Sequence, residues 1–174
     1  MSERNIEVFD SEYLHKKTTP VTFPLSPEMK QVIQDLKDTL AGCARATGVA
    51  APQIGVSSSI LIYRVGDFVP PTVMINPKIV KARHMEEEGK LEMCLSYPEK
   101  IYYIPRYKNI TVFYQDENGD SYVLKYKGFE ARVLQHEIDH LDGLTIADRG
   151  ELLDEETTRE LLGKIDDGKK KENN

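Results

Sequence analysis

Six residues constrain this chain more than any others: Gln135-His136-Glu137-Ile138-Asp139-His140. Two histidines four apart fall on one face of a helix, one turn from each other, so both imidazoles can reach a single metal ion. Glu137, next to the first of them, is within reach of a water at such an ion and can act as its general base. Only 4 histidines occur in 174 residues, so random order produces this spacing around a glutamate roughly once in a hundred such chains. The plain alternative is a helix carrying two surface histidines. The flanking pattern predicts that the helix starts near Gly128 and runs to about Leu141.

A catalytic site of this type needs a third protein ligand and an open fourth position. No histidine follows His140, and Glu151, Glu155, Glu156 and Glu160 lie in a segment that reads as solvated. Upstream, Cys94 in Glu92-Met93-Cys94-Leu95-Ser96 offers a thiolate, a strong ligand for a divalent transition metal. A lone cysteine is more often a small buried residue, but the missing downstream ligand favours ligation here. His84, in a polar stretch with Glu86, Glu87 and Glu88, and His15, beside Lys16 and Lys17, read as surface residues.

The rest of the chain predicts an α+β domain: antiparallel strands surrounding one central metal-binding helix, plus an N-terminal helix and a short C-terminal one. Ser26-Pro27 reads as a capped helix start. Met29, Val32, Ile33, Leu36, Leu40, Cys43 and Ala44 form one apolar stripe, and Gly48 is the expected stop. Cys43 on that stripe is read as core. Strands are expected over 59–65, 72–82, 109–115 and 121–127, the last two joined by a hairpin through Asn118-Gly119. A terminal helix is expected over 154–165 and a disordered tail over 168–174, within a single domain spanning 1–174. A formal net charge of −6 argues against nonspecific grip on nucleic acid or an anionic membrane. No apolar run approaches the roughly eighteen residues of a membrane span, and the first ten residues lack the features of a signal or transit peptide. A reducing cytoplasm is the expected compartment.

Three segments, in order, resemble the motifs of the peptide deformylase family: Gly48-Val49-Ala50-Ala51-Pro52-Gln53-Ile54-Gly55, then Glu92-Met93-Cys94-Leu95-Ser96, then Gln135 through Gly143. Pro105-Arg106 and the stretch from Asp10 to Val21 are weaker echoes. The resemblance implies that Cys94, His136 and His140 hold one metal ion, typically ferrous iron (Fe2+), with zinc (Zn2+), nickel (Ni2+) or cobalt (Co2+) able to replace it. It implies that Glu137 is the general acid/base. The Gln53 side-chain amide and the Leu95 backbone N–H would donate to the developing oxyanion. Gly48 would let substrate backbone approach closely. Gly48, Thr47, Glu92, Phe129, Arg132 and Val133 are the implied substrate-binding residues. The implied reaction is hydrolytic removal of the formyl group from the N-terminal formyl-methionine of new proteins. The implied partners are formyl-methionyl nascent peptides at the ribosome, and the chain is expected to be a monomer in the cytoplasm, bacterial or, if phage-encoded, of the host.

Three positions depart from the family pattern. Ala46 stands where the first motif begins with glycine. Met93 replaces the glycine before the cysteine, and is expected either to pack outward or to narrow the cleft. Arg132 lies one turn before His136, where the family lines its methionine pocket with apolar residues. Two readings of Arg132 stand: its stem over apolar surface with its head in water, or contact with substrate or with an acidic group such as Glu92, for which Arg106 competes. Two other functions fit less well, a peptidase cleaving internal bonds and a catalytically dead relative that binds nascent chains.

Overall fold

The structure is a computed structural model that describes residues 5–44, 46–66 and 69–172, with side chains described through Gly163. Its strands are β1 (Gly48–Ala50), β2 (Ile60–Tyr63), β3 (Thr72–Met85), β4 (Lys90–Cys94), β5 (Tyr97–Ile104), β6 (Tyr107–Gln115), β7 (Ser121–Lys127) and β8 (Glu151–Leu152). Helices are α1 (Pro27–Gly42), α2 (Gly128–Leu141), the single turn α3 (Ile146–Arg149) and α4 (Glu155–Glu172). The strands form a five-stranded sheet in the order β1-β2-β3-β6-β7 and a three-stranded sheet in the order β4-β5-β8. Every pairing between them is antiparallel. The expected α+β class is therefore the observed one.

Alternation along the first three strands produces a sheet buried on both faces. Val49, Ile60, Ile62, Val73 and Ile75 join Val32, Ile33, Leu36 and Leu40 of α1 in one cluster. Their neighbours Ala50, Leu61, Tyr63 and Met74 point the other way and join Ala131, Val133, Leu134 and Ile138 of α2. A strand buried on both sides reads as a continuous apolar run, as Ile60-Leu61-Ile62-Tyr63 does. The sheet thus lies between α1 and α2, with α2 on the side that carries the site.

Ser26 caps α1, its Oγ accepting from the Met29 amide at 3.2 Å. The helix ends at Gly42, where Cys43 turns to an extended conformation, and Gly48 belongs to β1. Cys43 is accordingly half-buried past the helix end rather than in the core; the apolar stripe runs on to Ala44, past the end of the helix at Gly42. The hairpin turn uses Gly119 at φ +91°. The Asp116 carboxylate accepts from the amides of Asn118 and Asp120 at 2.8 and 3.0 Å, closing the loop through an Asx side chain rather than a second positive φ.

At the other end of the chain, α4 continues past the expected limit of 165 to Glu172. No proline interrupts that stretch, and its single glycine at 168 costs a helix only about 1 kcal/mol. Of the tail expected over 168–174, residues 168–172 lie in that helix and 173–174 lie outside the described residues.

The C-terminus of α2 is held from outside. Both the Thr18 amide and its hydroxyl donate to the Leu141 carbonyl, each at 2.9 Å. Gly143 follows at φ +76°, and a Cβ there would meet the Lys16 carbonyl carbon at 2.8 Å. The N-terminal segment therefore passes directly over the end of the helix that carries both histidines.

Candidate active site

Two elements, α2 and β4, converge on one point. His136 and His140 project from successive turns of α2, their rings 5.1 Å apart between centroids. Cys94 ends β4 and pairs with Tyr97 of β5 across the turn formed by Leu95 and Ser96. Ligand atoms of Cys94, His136 and His140 all lie within 4.8 Å of one another, and Cys94 Sγ is 3.3 Å from His140 Nε2. A buried strand end and a buried helix face thus bring together residues 46 positions apart.

Burial resists ionisation of Cys94, yet the imidazoles of His140 and His136 hold its thiol well below the usual range. Burial pushes the Glu137 carboxyl up to about 7, against the pull of the two histidines. Glu137 Oε2 is fully buried without a hydrogen-bond partner, a condition that a polar group at the centre of the cluster would relieve. A thiolate and two imidazoles suit a divalent transition ion, so the donor set and the unpartnered oxygen both fit a metal centre.

Gln53 lies in a 3₁₀ turn just after β1. Its Oε1 accepts from the Ala50 amide at 3.0 Å, and its Nε2 donates toward Cys94 Sγ at 3.5 Å and Ser96 Oγ at 3.3 Å. The amide group is thereby oriented with its N–H end toward the cluster. Gly48 also makes room within the protein: a Cβ there would sit 2.5 Å from Glu137 Oε1. The space left by its missing side chain is filled by the glutamate, although Gly48 also lines the cleft.

The cluster opens into a cleft of about 700 Å³ whose lining includes Thr47, Gln53, Leu95, Phe129, Arg132 and Val133. Met93 and Leu91 alternate with the buried Glu92 and Cys94 along β4. Met93, 41% exposed, therefore stands on the opposite side of the strand from the cysteine. It also borders the cleft.

Glu92, expected to meet substrate, has both its oxygens engaged by protein. Oε1 accepts from Arg106 Nε at 2.8 Å and Arg132 Nη1 at 2.5 Å. Oε2 accepts from Arg106 Nη2 at 2.9 Å and lies 3.0 Å from His136 Nδ1. Despite burial, these partners hold its carboxyl below the ordinary carboxylate range. An ionised carboxylate on Nδ1 fixes the His136 ring and leaves the opposite nitrogen for a ligand bond. His140 Nδ1, by contrast, is buried with no partner.

Arg132 pairs with Glu92 and Glu86 and is 7% exposed, so its head is not in water. Arg106 also reaches Asp139 at 2.5 Å, and Asp139 meets Arg149 at 2.5 Å. Sequence reasoning missed Glu86, Asp139 and Arg149. Asp139 inside the histidine motif was the one available signal, since an acidic residue on a buried helix face needs a cation.

A thiolate and two imidazoles around one point, with a buried carboxyl beside them at the base of a cleft, define a class: hydrolases built around a metal centre. The sequence profile of the polypeptide deformylase family matches residues 3–156. Peptide deformylase 2 of Clostridium acetobutylicum is 35% identical over 148 residues, covering 85% of this chain and 95% of that protein. The crystal structure of peptide deformylase from Thermotoga maritima superposes with a TM-score of 0.79 at 36% identity, covering 87% of this chain and 99% of the other. The Legionella pneumophila enzyme gives 0.81 at 32% identity, covering 97% and 98%. This chain belongs to the polypeptide deformylase family.

Proposed function

We propose that this protein removes the formyl group from the N-terminal formyl-methionine of nascent peptides, by hydrolysis of the formamide C–N bond, as one cytoplasmic catalytic domain acting as a monomer. The observation that carries the reading is a buried glutamate, Glu137, beside a Cys94–His136–His140 cluster at the base of an open cleft.

In this reading Cys94, His136 and His140 hold one divalent ion, with ferrous iron the resident metal and zinc, nickel or cobalt able to replace it. When bound, the ion supplies Lewis acidity toward the formyl oxygen and acidifies the attacking water. Glu137 accepts that water's proton and returns it to the departing amine nitrogen, leaving formate and a free N-terminus. A carboxyl held near 7 by burial suits both transfers at neutral pH. The Gln53 Nε2–H and the Leu95 backbone N–H donate to the formyl oxygen as negative charge builds on it. Thr47, Phe129 and Val133 contact the peptide, and Glu92 orients His136.

Formate release from a formyl-Met-Ala-Ser peptide tests this, using anaerobically purified protein loaded with iron, nickel or zinc. Activity lost in Glu137→Gln and in Cys94→Ala, and absent with an acetyl-Met peptide, is the expected result. Folded, metal-bound protein that releases no formate with any metal overturns the reading and leaves a binding function in its place.

A further inference from the structure

The two imidazoles of the cluster are backed unequally. His140 Nδ1 is buried and has no hydrogen-bond partner among the described residues, whereas His136 Nδ1 lies 3.0 Å from Glu92 Oε2. Charge behind the site therefore acts on it through one histidine. A carboxylate on the far nitrogen of a ligating imidazole raises the basicity of the ring, and cations on the same carboxylate draw that charge back.

Glu92 carries two such cations. Arg106 donates to it from Nε and Nη2 at 2.8 and 2.9 Å, and Arg132 from Nη1 at 2.5 Å. Both arginines are shared. Arg106 also serves Asp139. Arg132 serves the Ile104 carbonyl at 3.0 Å and, through Nη2, the Glu86 carboxylate. Glu86 is itself fixed, its amide donating to the Arg106 carbonyl at 2.9 Å and its carboxylate meeting Lys90 at 3.2 Å. The side chains of Glu86, Arg132 and Glu92 are each no more than 9% exposed, so solvent ions screen these pairs little. Without Arg132, Glu92 would keep only a shared arginine and pass more negative charge to His136. Without the charge of Glu86, Arg132 would serve Glu92 undivided, and less would pass.

We propose that Arg132 is a positioning residue that acts on the metal site through Glu92, drawing charge away from the His136 ring, and that Glu86 sets how much. The consequence rests on the reading of Cys94, His136 and His140 as metal ligands. His136 donates less than its carboxylate partner alone would make it donate, and a ferrous centre is favoured over a ferric one.

Two readouts on the full chain test this, and neither needs turnover. One is the proton resonance of His136 Nδ1–H in the zinc-loaded protein, which moves downfield as its bond to Glu92 strengthens. The other is the Fe3+/Fe2+ midpoint potential of the iron-loaded protein, measured anaerobically. Arg132→Gln is expected to move the resonance downfield. It should also raise the ferric-to-ferrous ratio at fixed potential about ten-fold, the order that groups behind a ligand contribute, or about 59 mV of lowered potential. Glu86→Gln is expected to move both readouts in the opposite direction. The double variant, which removes the pair without stranding a charge, should follow Arg132→Gln and guards against a folding defect in either single one. Shifts of the same sign in the two single variants, as a general loosening would produce, overturn the proposal. So do readouts unmoved in folded, metal-loaded Arg132→Gln. Opposed shifts in a chain that releases no formate would uphold the proposal while refuting the deformylase reading.

Discussion

Replacing Gly48 by alanine should disable Glu137, the proposed proton-transferring group, without touching Cys94, His136 or His140. The added Cβ would lie 2.5 Å from Glu137 Oε1, 2.7 Å from Cδ and 2.8 Å from Cγ. Carbon contacts are comfortable at about 3.5–4.0 Å, so Glu137 must retreat by roughly 1 Å. Rotating the carboxylate alone does not suffice, because Cγ is too close as well. Neither wall yields readily, since Gly48 pairs with Tyr63 in the sheet and Glu137 is buried on α2. A displacement of 1 Å at a reacting group costs about a hundred-fold in rate, or about 2.7 kcal/mol of barrier. The assay is formate release at matched metal occupancy, with metal content measured on the same sample. The expected result is kcat down about a hundred-fold, with metal stoichiometry at the wild-type value and KM changed only a few-fold. A Gly48→Ala protein with full metal and kcat within three-fold of wild type would refute the claim that the missing Cβ makes room for the base.

Further outcomes are expected from other parts of the structure. Arg106→Met leaves Glu92 and Asp139 short of a buried partner and should destabilise the fold by about 3 kcal/mol in urea melts, the low end because Arg132 and Arg149 still pair with them. Gly143→Ala must adopt φ +76° and push against Lys16, and should cost more than about 1 kcal/mol by the same assay. At the start of α4, bonds from the Thr157 amide and hydroxyl hold the Asp154 carboxyl below its ordinary value. The cap therefore contributes fully above the unfolded aspartate pKa and is lost as pH falls through the lower folded value; an NMR titration placing the Asp154 midpoint at or above the usual aspartate range contradicts this. Chelation should lower Tm wherever metal binds only the folded chain, by the equivalent of about 4 kcal/mol at a thousand times Kd, and should leave the Tm of Cys94→Ala unmoved.

The features legible in the sequence are those that repeat locally. The Ser26-Pro27 cap, the apolar spacing of α1, the β6–β7 hairpin and the histidine pair on α2 each announce themselves within a dozen residues, and each is found. The short β1 and the β4–β5 pair have no such signal. β1 is 3 residues long, too short for a period, and β4 reads as a polar segment because Glu92 is buried by pairing rather than by apolarity. The end of α1 falls earlier than expected for a related reason: apolar residues continue past Gly42, and only the backbone turn at Cys43 reveals the stop. The contact of Gly48 with Glu137 is not legible in the sequence, because a glycine's neighbour across space has no trace in its own motif.

The charged groups behind the site are where sequence reasoning had least to hold, and they explain how the cluster stays in register. Lys90, Glu86, Arg132, Glu92, Arg106, Asp139 and Arg149 form one continuous chain of ion pairs joining β4 and the residue just past β3 to α2 and α3. Glu92 sits two residues before Cys94 on β4, and on α2 it grips the first histidine through Nδ1. A shift of β4 against α2 by one residue would turn Glu92 to the opposite face and bury Arg106 and Arg132 without it. The same slip would carry Cys94 away from His140. The register that satisfies the buried arginines is therefore the register that assembles the cluster, which ties the geometry of the site to the stability of the fold. It also explains how a charged residue, Arg132, is accommodated at the wall of the cleft: its charge is taken up by Glu86 and Glu92, which it helps to hold in place.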